Sequence, residues 1–397
     1  MNFAACRFCT PLLIAFFLLT LGQGALAQET SSAAPDRRQT IPSEQLHAGD
    51  FECKETGYRD GDIPDDFYID RPNHIPNGWE ITAAGKMPVV DSARIYFAGS
   101  CDGSAHVERI AGEDSVLIQA LDIEWSADPG KPFDVTLVQQ IPAIRGTAYS
   151  LSGWMLTLCG GSFSDPNDCP EGYYMAKLLG IDPTGGTDPN APSVEWVENR
   201  RNFVEADGRT RVGWQNLRTA SAAQALTLTV FARINSPFRW HGNHGFIDAL
   251  SILRAPTATL TAVSQLASPA PPTITIAWQG SLGPDIPQIP NSTHRLLFDL
   301  ESWNSESNVW QPMASDIEGD GSLDFAARCY GVTYRFRVKP RAEQPEGSDG
   351  AAPNQRYPGL WVESAPVVIP PNLPGPSVPF TATDQIFLPV IRTVRSC

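Results

Sequence analysis

The sequence predicts an all-β protein made of two sandwiches in series, and three observations predict it. Short runs alternate apolar and polar residues with a period of two and are rich in β-branched side chains. Nothing between those runs carries a helical period. Turn formers punctuate them throughout, with 35 prolines and 32 glycines in 397 residues, which keeps each run short.

The chain begins outside either sandwich. "PLLIAFFLLTLGQGALA" is an apolar core ending in the small-x-small cleavage pattern Ala25-Leu26-Ala27, and residues 1–27 read as a cleaved export signal with Gln28 as the first mature residue. Arg7 is its single preceding positive charge. No later run reaches transmembrane length, so no membrane span is expected in the mature chain. Residues 28–48 lack periodicity and read as a flexible leader. From 49 to 255 the runs "SVLIQALDIEW", "DVTLVQQI", "AYSLSGWMLTL", "MAKLLGI", "ALTLTVFARI" and "GFIDALSIL" read as strands of a first sandwich. From 256 to 370, "TATLTAVSQL", "TITIAWQG", "HRLLFDLESWN", "SLDFAARC", "TYRFRVKPRA" and "VESAPVVI" give the strand number and length of an immunoglobulin-like sandwich. Residues 371–397 are a Pro-rich spacer and an apolar tail.

Export puts the cysteines in an oxidising compartment. Six remain after the signal: Cys53, Cys101, Cys159, Cys169, Cys329 and Cys397. Cys159 and Cys169 close the short loop "CGGSFSDPNDC" and form the first expected disulfide, worth about 2–3 kcal/mol in the chain-entropy model. Cys53 with Cys101 is the second, while Cys329 and Cys397 are left open between paired and free. The mature chain has no C-x-x-C, which gives a zinc site little support. A net charge of −15 repels nucleic acid and anionic membrane surfaces alike, so neither is expected as a partner. An extracellular location, secreted or at the cell surface, is expected.

Two resemblances follow from particular residues. "GDFECKETGY…IPNGWE", "VQQIPAIRGTAYSLSGWM" and "GFIDALSIL" resemble the first strand, central strand pair and closing strand of carbohydrate-binding modules of families four and nine. That resemblance implies a jelly-roll β-sandwich of the galactose-binding-like type over 49–255, although the segment 159–215 is longer than in typical members. Trp278 in "TIAWQG" and the pattern Gly331-x-x-Tyr334-x-Phe336-x-Val338 resemble strands B and F of a fibronectin type III domain, with Tyr334 as the tyrosine-corner residue. The departure is "EQPEGSDGAAPNQRYPG", which reads as a long loop before the last strand.

The candidate chemistry favours binding over catalysis. There is no G-x-S-x-G, no H-E-x-x-H and no Cys-His arrangement. His241 and His244 in "RWHGNHGF" are the one close histidine pair, read as loop imidazoles or as a metal or catalytic pair. Sugars present C–H faces that stack on aromatic rings and hydroxyls that bond to amides, guanidinium groups and carboxylates. In "YSLSGWMLT", alternation separates Tyr149, Leu151 and Met155 from Ser150, Ser152 and Trp154. In "TLTVFAR" it separates Leu228 and Val230 from Thr229, Phe231 and Arg233. Trp154, Gln119 and Arg233 are therefore expected on one polar, glycan-binding face, with Trp240, Trp214 and Trp196 as further aromatic candidates. The competing reading buries Trp154 under the 159–215 loops.

Calcium has three candidate places. The carbohydrate-binding-module resemblance implies a structural ion held by Glu52 and Asp248, stapling the first and closing strands. "DIEGDGSLD" places Asp316, Glu318, Asp320 and Asp324 as in a calcium loop but has Ala327 where the bidentate acid belongs, so it reads as a solvated turn. "GIDPTGGTDPNAPSVEW" fails both the calcium-loop and phosphate-loop patterns and reads as the connection of a β-hairpin. The expected function is non-catalytic recognition of a glycan or cell-wall polysaccharide. The alternatives are a structural or adhesive surface protein without a sugar site and an enzyme built into 159–215.

Overall fold

The computed structural model describes residues 46–47, 49–61, 73–82, 93–98, 109–120, 133–158, 175–200, 214–236, 244–265, 272–286, 294–327, 330–344 and 355–371. The predicted signal, nearly all of the leader and the C-terminal tail lie outside them. Among the described residues no helix is long and apolar enough to cross a membrane. Residues 39–397 form one compact unit.

A single helical turn, α1 (Cys53–Thr56), comes first, then β1 (Tyr58–Gly61) and β2 (Asn73–Pro76), which pair as a small ribbon. The first sandwich follows as β3 (Glu80–Thr82), β4 (Ala93–Ala98), β5 (Ser115–Ala120), β6 (Phe133–Pro142), β7 (Ala148–Leu158), β8 (Ala176–Asp182), β9 (Glu195–Asn199), β10 (Gln215–Ala222), β11 (Thr227–Ser236) and β12 (His244–Arg254). They form two five-stranded antiparallel sheets. Sheet I has the order β3-β6-β11-β8-β9 and sheet II the order β10-β7-β12-β5-β4. From β5 to β12 the chain passes back and forth between the sheets, with only the β8–β9 hairpin staying in one. That alternation is a jelly roll.

Alternation along each strand decides which side chains enter the space between the sheets. Val135, Leu137 and Ile141 of β6, Leu228, Val230, Ala232 and Ile234 of β11, and Tyr149, Leu151 and Met155 of β7 share one buried cluster. The predicted inward set on β7 and β11 is the observed one. Gly153 stands in that inward row because Leu250 occupies the space: a Cβ there would meet Leu250 Cδ2 at 2.0 Å.

The segment around Glu52 is not the predicted strand. Phe51 adopts φ 55° and drops its fully buried ring against Trp79, 5.5 Å between centroids. A left-handed non-glycine residue breaks an extended run, and α1 begins two residues later. Gly49 instead docks backbone to backbone, with Leu250 N–H donating to its carbonyl at 2.7 Å. That contact falls in a bulge of β12 between Asp248 and Ser251, where Ala249 also takes positive φ.

The second sandwich comprises β13 (Thr257–Gln265), β14 (Thr273–Ser281), β15 (Arg295–Asn304), β16 (Val309–Glu318), β17 (Gly321–Ala326), β18 (Thr333–Tyr334), β19 (Phe336–Gln344), β20 (Gln355–Pro358), β21 (Val362–Glu363) and β22 (Val367–Val368). Sheet III is β13-β14-β17. Sheet IV is β16-β15-β19-β20 with β21 also on β19, and β18 pairs β22. Ile274, Ile276 and Trp278 pack against Phe298, Leu300, Phe336 and Val338 between them. Trp278 Nε1–H donates to Gly319 O at 3.1 Å.

Two stretches read differently from the sequence. "VESAPVVI" forms two short strands, β21 and β22, because Pro366 interrupts the run. The predicted loop before the last strand contains β20, and β20 joins the two sandwiches. Gln355, fully buried, accepts a hydrogen bond from Ser152 Oγ at 2.8 Å and reaches Ala249 O through Nε2 at 3.4 Å. Tyr357, Leu253, Ile286 and Ala342 make an apolar cluster below it, and Arg254 pairs with Asp285 through backbone and side chain.

Candidate functional site

The outer face of sheet II holds the strongest candidate. Cross-strand register places Asn216 and Asp248 on either side of Trp154. Trp154, Trp214, Leu156, Phe246, Leu117 and Ile110 form a second apolar cluster there, with Trp214 and Phe246 rings 6.3 Å apart. Trp154 therefore lies opposite the core residues of its strand, as alternation predicts, and its ring is half-buried. Trp214 is a correction: it is 7% exposed, because its ring, just before β10, packs into this apolar cluster against Phe246.

The polar groups of this face are incompletely matched. Asn216 Nδ2 donates to Ser152 Oγ at 3.0 Å and to Gly153 O at 3.2 Å. Its Oδ1, together with the indole N–H groups of Trp154 and Trp214, is buried with no hydrogen-bond partner. A buried polar group left unmade costs about 1–3 kcal/mol, and native structures fill such positions with protein, water or ligand. Sequence reasoning missed Asn216, although an amide at i+2 from a tryptophan on an outward row was the available signal.

The remaining predicted residues divide. Gln119 pairs its backbone with His244 in sheet II. Trp196 and Arg233 sit on the outer face of sheet I, on the far side of the sandwich. The expectation of Trp154, Gln119 and Arg233 on one face is thus corrected: alternation assigns a residue to one side of its own strand but not to one of two sheets. Arg233 makes a two-point ion pair with the buried Asp134, Nε to Oδ1 at 2.6 Å, with its guanidinium 6.0 Å from the Trp196 ring. Trp196 lies over Gly180, where a Cβ would meet the ring at 2.7 Å, and its Nε1–H donates to Pro189 O at 3.3 Å. It braces the β8–β9 hairpin.

That hairpin forms as the sequence predicts, with acids supporting the turn. Asp182 Oδ1 accepts from Thr184 N–H at 2.8 Å, Oδ2 accepts from Ser193 Oγ at 3.1 Å, and Asp188 Oδ1 accepts from Asn190 N–H at 2.9 Å. "DIEGDGSLD" is likewise a turn, between β16 and β17, in which Asp320 accepts from Gly280 N–H at 2.9 Å. His244 is not in a loop but on β12 and buried. Trp240, His241, Cys101, Cys159, Cys169, Cys329 and Cys397 lie outside the described residues. Cys53 is disulfide-bonded.

Glu52 and Asp248 are brought together. Asp248 is fully buried and accepts backbone N–H bonds from Ile110 at 2.8 Å, Ala111 at 3.1 Å and Ala249 at 2.6 Å. Burial still pushes its carboxyl well above the usual range, and the charge of Glu52 adds to the rise. Glu52 accepts from Glu113 N–H at 2.9 Å, and burial, with Asp114 and Asp50 nearby, pushes it up to about 7. Hard oxygens crowded in a desolvated place suit a hard cation in charge and chemistry. Among the described residues no three His, Cys, Asp or Glu side chains are placed to hold a metal.

No known protein family matches the chain, and no curated protein matches it in sequence. Among solved structures, a family 61 carbohydrate-binding module in complex with beta-1,4-galactotriose is similar at 15% identity, covering 45% of this chain and 89% of that one, with a TM-score of 0.28. The cleaved K1 adhesin domain of Lys-gingipain from Porphyromonas gingivalis W83 is 15% identical over 45% of this chain and 91% of that one, TM-score 0.30. A family 4 carbohydrate-binding module is 14% identical over 47% and 90%, TM-score 0.24. At these scores they are likenesses only, and the jelly roll stands on its strand order.

Proposed function

We propose that the protein is an extracellular, non-catalytic glycan-binding protein that presents the outer face of sheet II to a saccharide. The observation that carries this reading is the half-buried Trp154 ring on this face, with its indole N–H and the Asn216 carbonyl left without hydrogen-bond partners beside it. A sugar edge offers hydroxyls that both donate and accept, and its C–H face suits the Trp154 ring. The reading is non-catalytic because Asp248, beside Trp154, is sunk beneath the face and held by three N–H groups, out of reach of a bond in a ligand. The second sandwich, with a three-stranded sheet facing a five-stranded one and Trp278 buried between them, serves as a fibronectin-type-III-like support. A calcium ion held by Glu52 and Asp248 would fix the loop before β5 against the β12 bulge.

The weld at Gln355 favours a second reading, a structural or adhesive protein, because β20 covers part of the same face. A glycan array separates the two. The intact protein is expected to bind a defined set of oligosaccharides, and Trp154→Ala to weaken that binding by roughly tenfold or more, about 1.4 kcal/mol, with its melting transition retained. Binding to no glycan on the array, or binding indifferent to Trp154→Ala, overturns the glycan reading in favour of the structural one.

A further inference from the structure

The edges of the four sheets are guarded unequally. An edge strand turns alternate N–H and C=O groups outward, where another strand can pair with them, and proteins blunt such edges with charge, proline, bulges or shortness. In sheet I, β3 is three residues long and β9 carries Glu195 and Glu198. In sheet II, β4 contains Arg94 and β10 contains Arg218. In sheet IV, β16 has Pro312 and breaks of register against β15, and the short β20 ends in Pro358. On one side of sheet III, β17 carries Asp324.

On the other side, β13 has none of these devices. Its nine residues, "TATLTAVSQ", include no charge and no proline, and they pair with β14 in unbroken register. Among the described residues no strand pairs with the opposite side of β13. Alternation along it is strict. Ala258, Leu260 and Ala262 pack on the core cluster between sheets III and IV, while Thr257, Thr259, Thr261, Val263 and Gln265 are exposed, Val263 at 61%. The three strands of sheet III contain one acid, Asp324. It stands opposite Thr275 of β14, which in turn stands opposite Val263, so it lies two strand spacings, about 10 Å, from β13.

We propose that β13 is a self-association edge, at which two copies of this chain join antiparallel about a two-fold axis through Thr261 and merge their three-stranded sheets into one of six strands. The strand is its own complement in that register. Thr261 meets Thr261, Thr259 of one copy meets Val263 of the other, and Thr257 meets Gln265, the last two pairs each occurring twice. The threonine pair at the axis is a favourable cross-strand neighbour, and the Thr259 methyl covers the exposed Val263. A second copy brings a free edge of the same length and the same neutrality. The net charge of −15 repels that copy at long range, but the field is screened beyond about 8 Å at physiological salt. In the six-stranded sheet the two Asp324 residues stand five spacings, about 24 Å, apart. Joining two copies at β9 would instead set Glu195 and Glu198 against their own like.

The test is sedimentation velocity of the intact protein from about 1 to about 100 μM at about 0.15 M salt. The sedimenting mass is expected to rise toward twice the monomer's across that range, with a Kd on the order of 10 μM. At about 0.01 M salt, where the screening length reaches about 30 Å, it should fall back toward the monomer. Thr261→Lys and Thr261→Glu each place two like charges at the axis and should weaken association roughly tenfold or more, with the melting temperature at about 1 μM unchanged. Mixed in equal amounts, the two variants set lysine against glutamate and should associate to within about threefold of the parent. A monomer at every concentration overturns the self-pairing and leaves the edge to a strand of another protein. A dimer as strong in Thr261→Lys as in the parent overturns it as well, and so does a mixture no more associated than its two components.

Discussion

The two sandwiches manage charge in opposite ways. The first places Lys177, Asp182 and Asp248 at 0% exposure, with Asp114 and Asp134 at 1%. The second keeps its core cluster apolar and sets its charges on an outer face, as ion pairs stacked on Trp303, Trp310 and Trp361. Exposed pairs contribute little to stability individually, but a stacked row holds a sheet face rigid at small desolvation cost. Burying an ion is expensive unless its partners are excellent. A fold that buries several has accepted lower stability for something else, and two of them, Asp248 and Asp114, lie under the candidate binding face or in the loop before β5 that borders it. The second sandwich keeps its charges outside its core, and the first bears the cost of burying them.

Lys177 gives that contrast its largest test. Its position on β8 is inward, in the row of Leu179 and Ile181, and its Nζ donates to Thr157 Oγ1 across the core at 3.0 Å. Burial lowers its pKa from 10.5 to about 7. Below pH 7 the lysine is charged in both states, and the fold carries the full cost of the buried ammonium. Between about 7 and 10.5 the unfolded chain binds more protons than the native state, so stability rises with pH. Lys177→Met should therefore stabilise the protein by on the order of 2–4 kcal/mol near pH 6, and the advantage should fade by about pH 10. Urea unfolding at the two pH values checks this; a methionine variant no more stable at pH 6 would refute the view that the first sandwich bears this cost.

The weld between the sandwiches comes next in size. Gln355→Ala removes the acceptor of Ser152 Oγ and a donor to Ala249 O in a fully buried place. The expected loss is about 2–3 kcal/mol, seen in calorimetry as a lower melting temperature and a transition that resolves into two. A single transition at the parental temperature would show that β20 does not couple the sandwiches.

Much of this architecture was legible from period-two patterns, because strands with one buried face write that face into the sequence. Tyr149, Leu151 and Met155, and Leu228 and Val230, were placed inward correctly for that reason, and Trp154 outward with them. What alternation does not contain is the identity of the sheet, which is why Arg233 was expected beside Trp154 and is found on the opposite side. Strands whose faces are both partly wet were missed: β10, "QNLRTASA", and β16, "VWQPMASDIE", have weak alternation. β20 was read as loop because Gly and Pro surround it, and its strand character comes from β19 and from Ser152, a partner 203 residues away. Phe51 shows a further limit. Its positive φ is imposed by burial against Trp79 and by Gly49 docking on the β12 bulge, contacts that no local pattern records.

The smallest predicted effect concerns the acids beside that bulge. Glu52, raised from 4.5 to about 7, binds a proton in the native state that the unfolded chain has released once pH exceeds about 4.5. The stability this group contributes is therefore fully present below pH 4.5 and is lost as pH rises through 7. About half of the side chain is solvated, so the loss is discounted to on the order of 1–2 kcal/mol. A calcium ion at Glu52 and Asp248 requires both carboxylates ionised and inverts the dependence, since binding to the native state alone stabilises it by mass action. In chelator, the melting temperature is expected to fall by a few degrees between pH 5 and 7.5. With millimolar calcium the fall should vanish, and Asp248→Asn should abolish the calcium response. A melting temperature in chelator that does not fall over this range would contradict the raised Glu52 pKa. The same calcium response in the asparagine variant would remove Asp248 from the metal site.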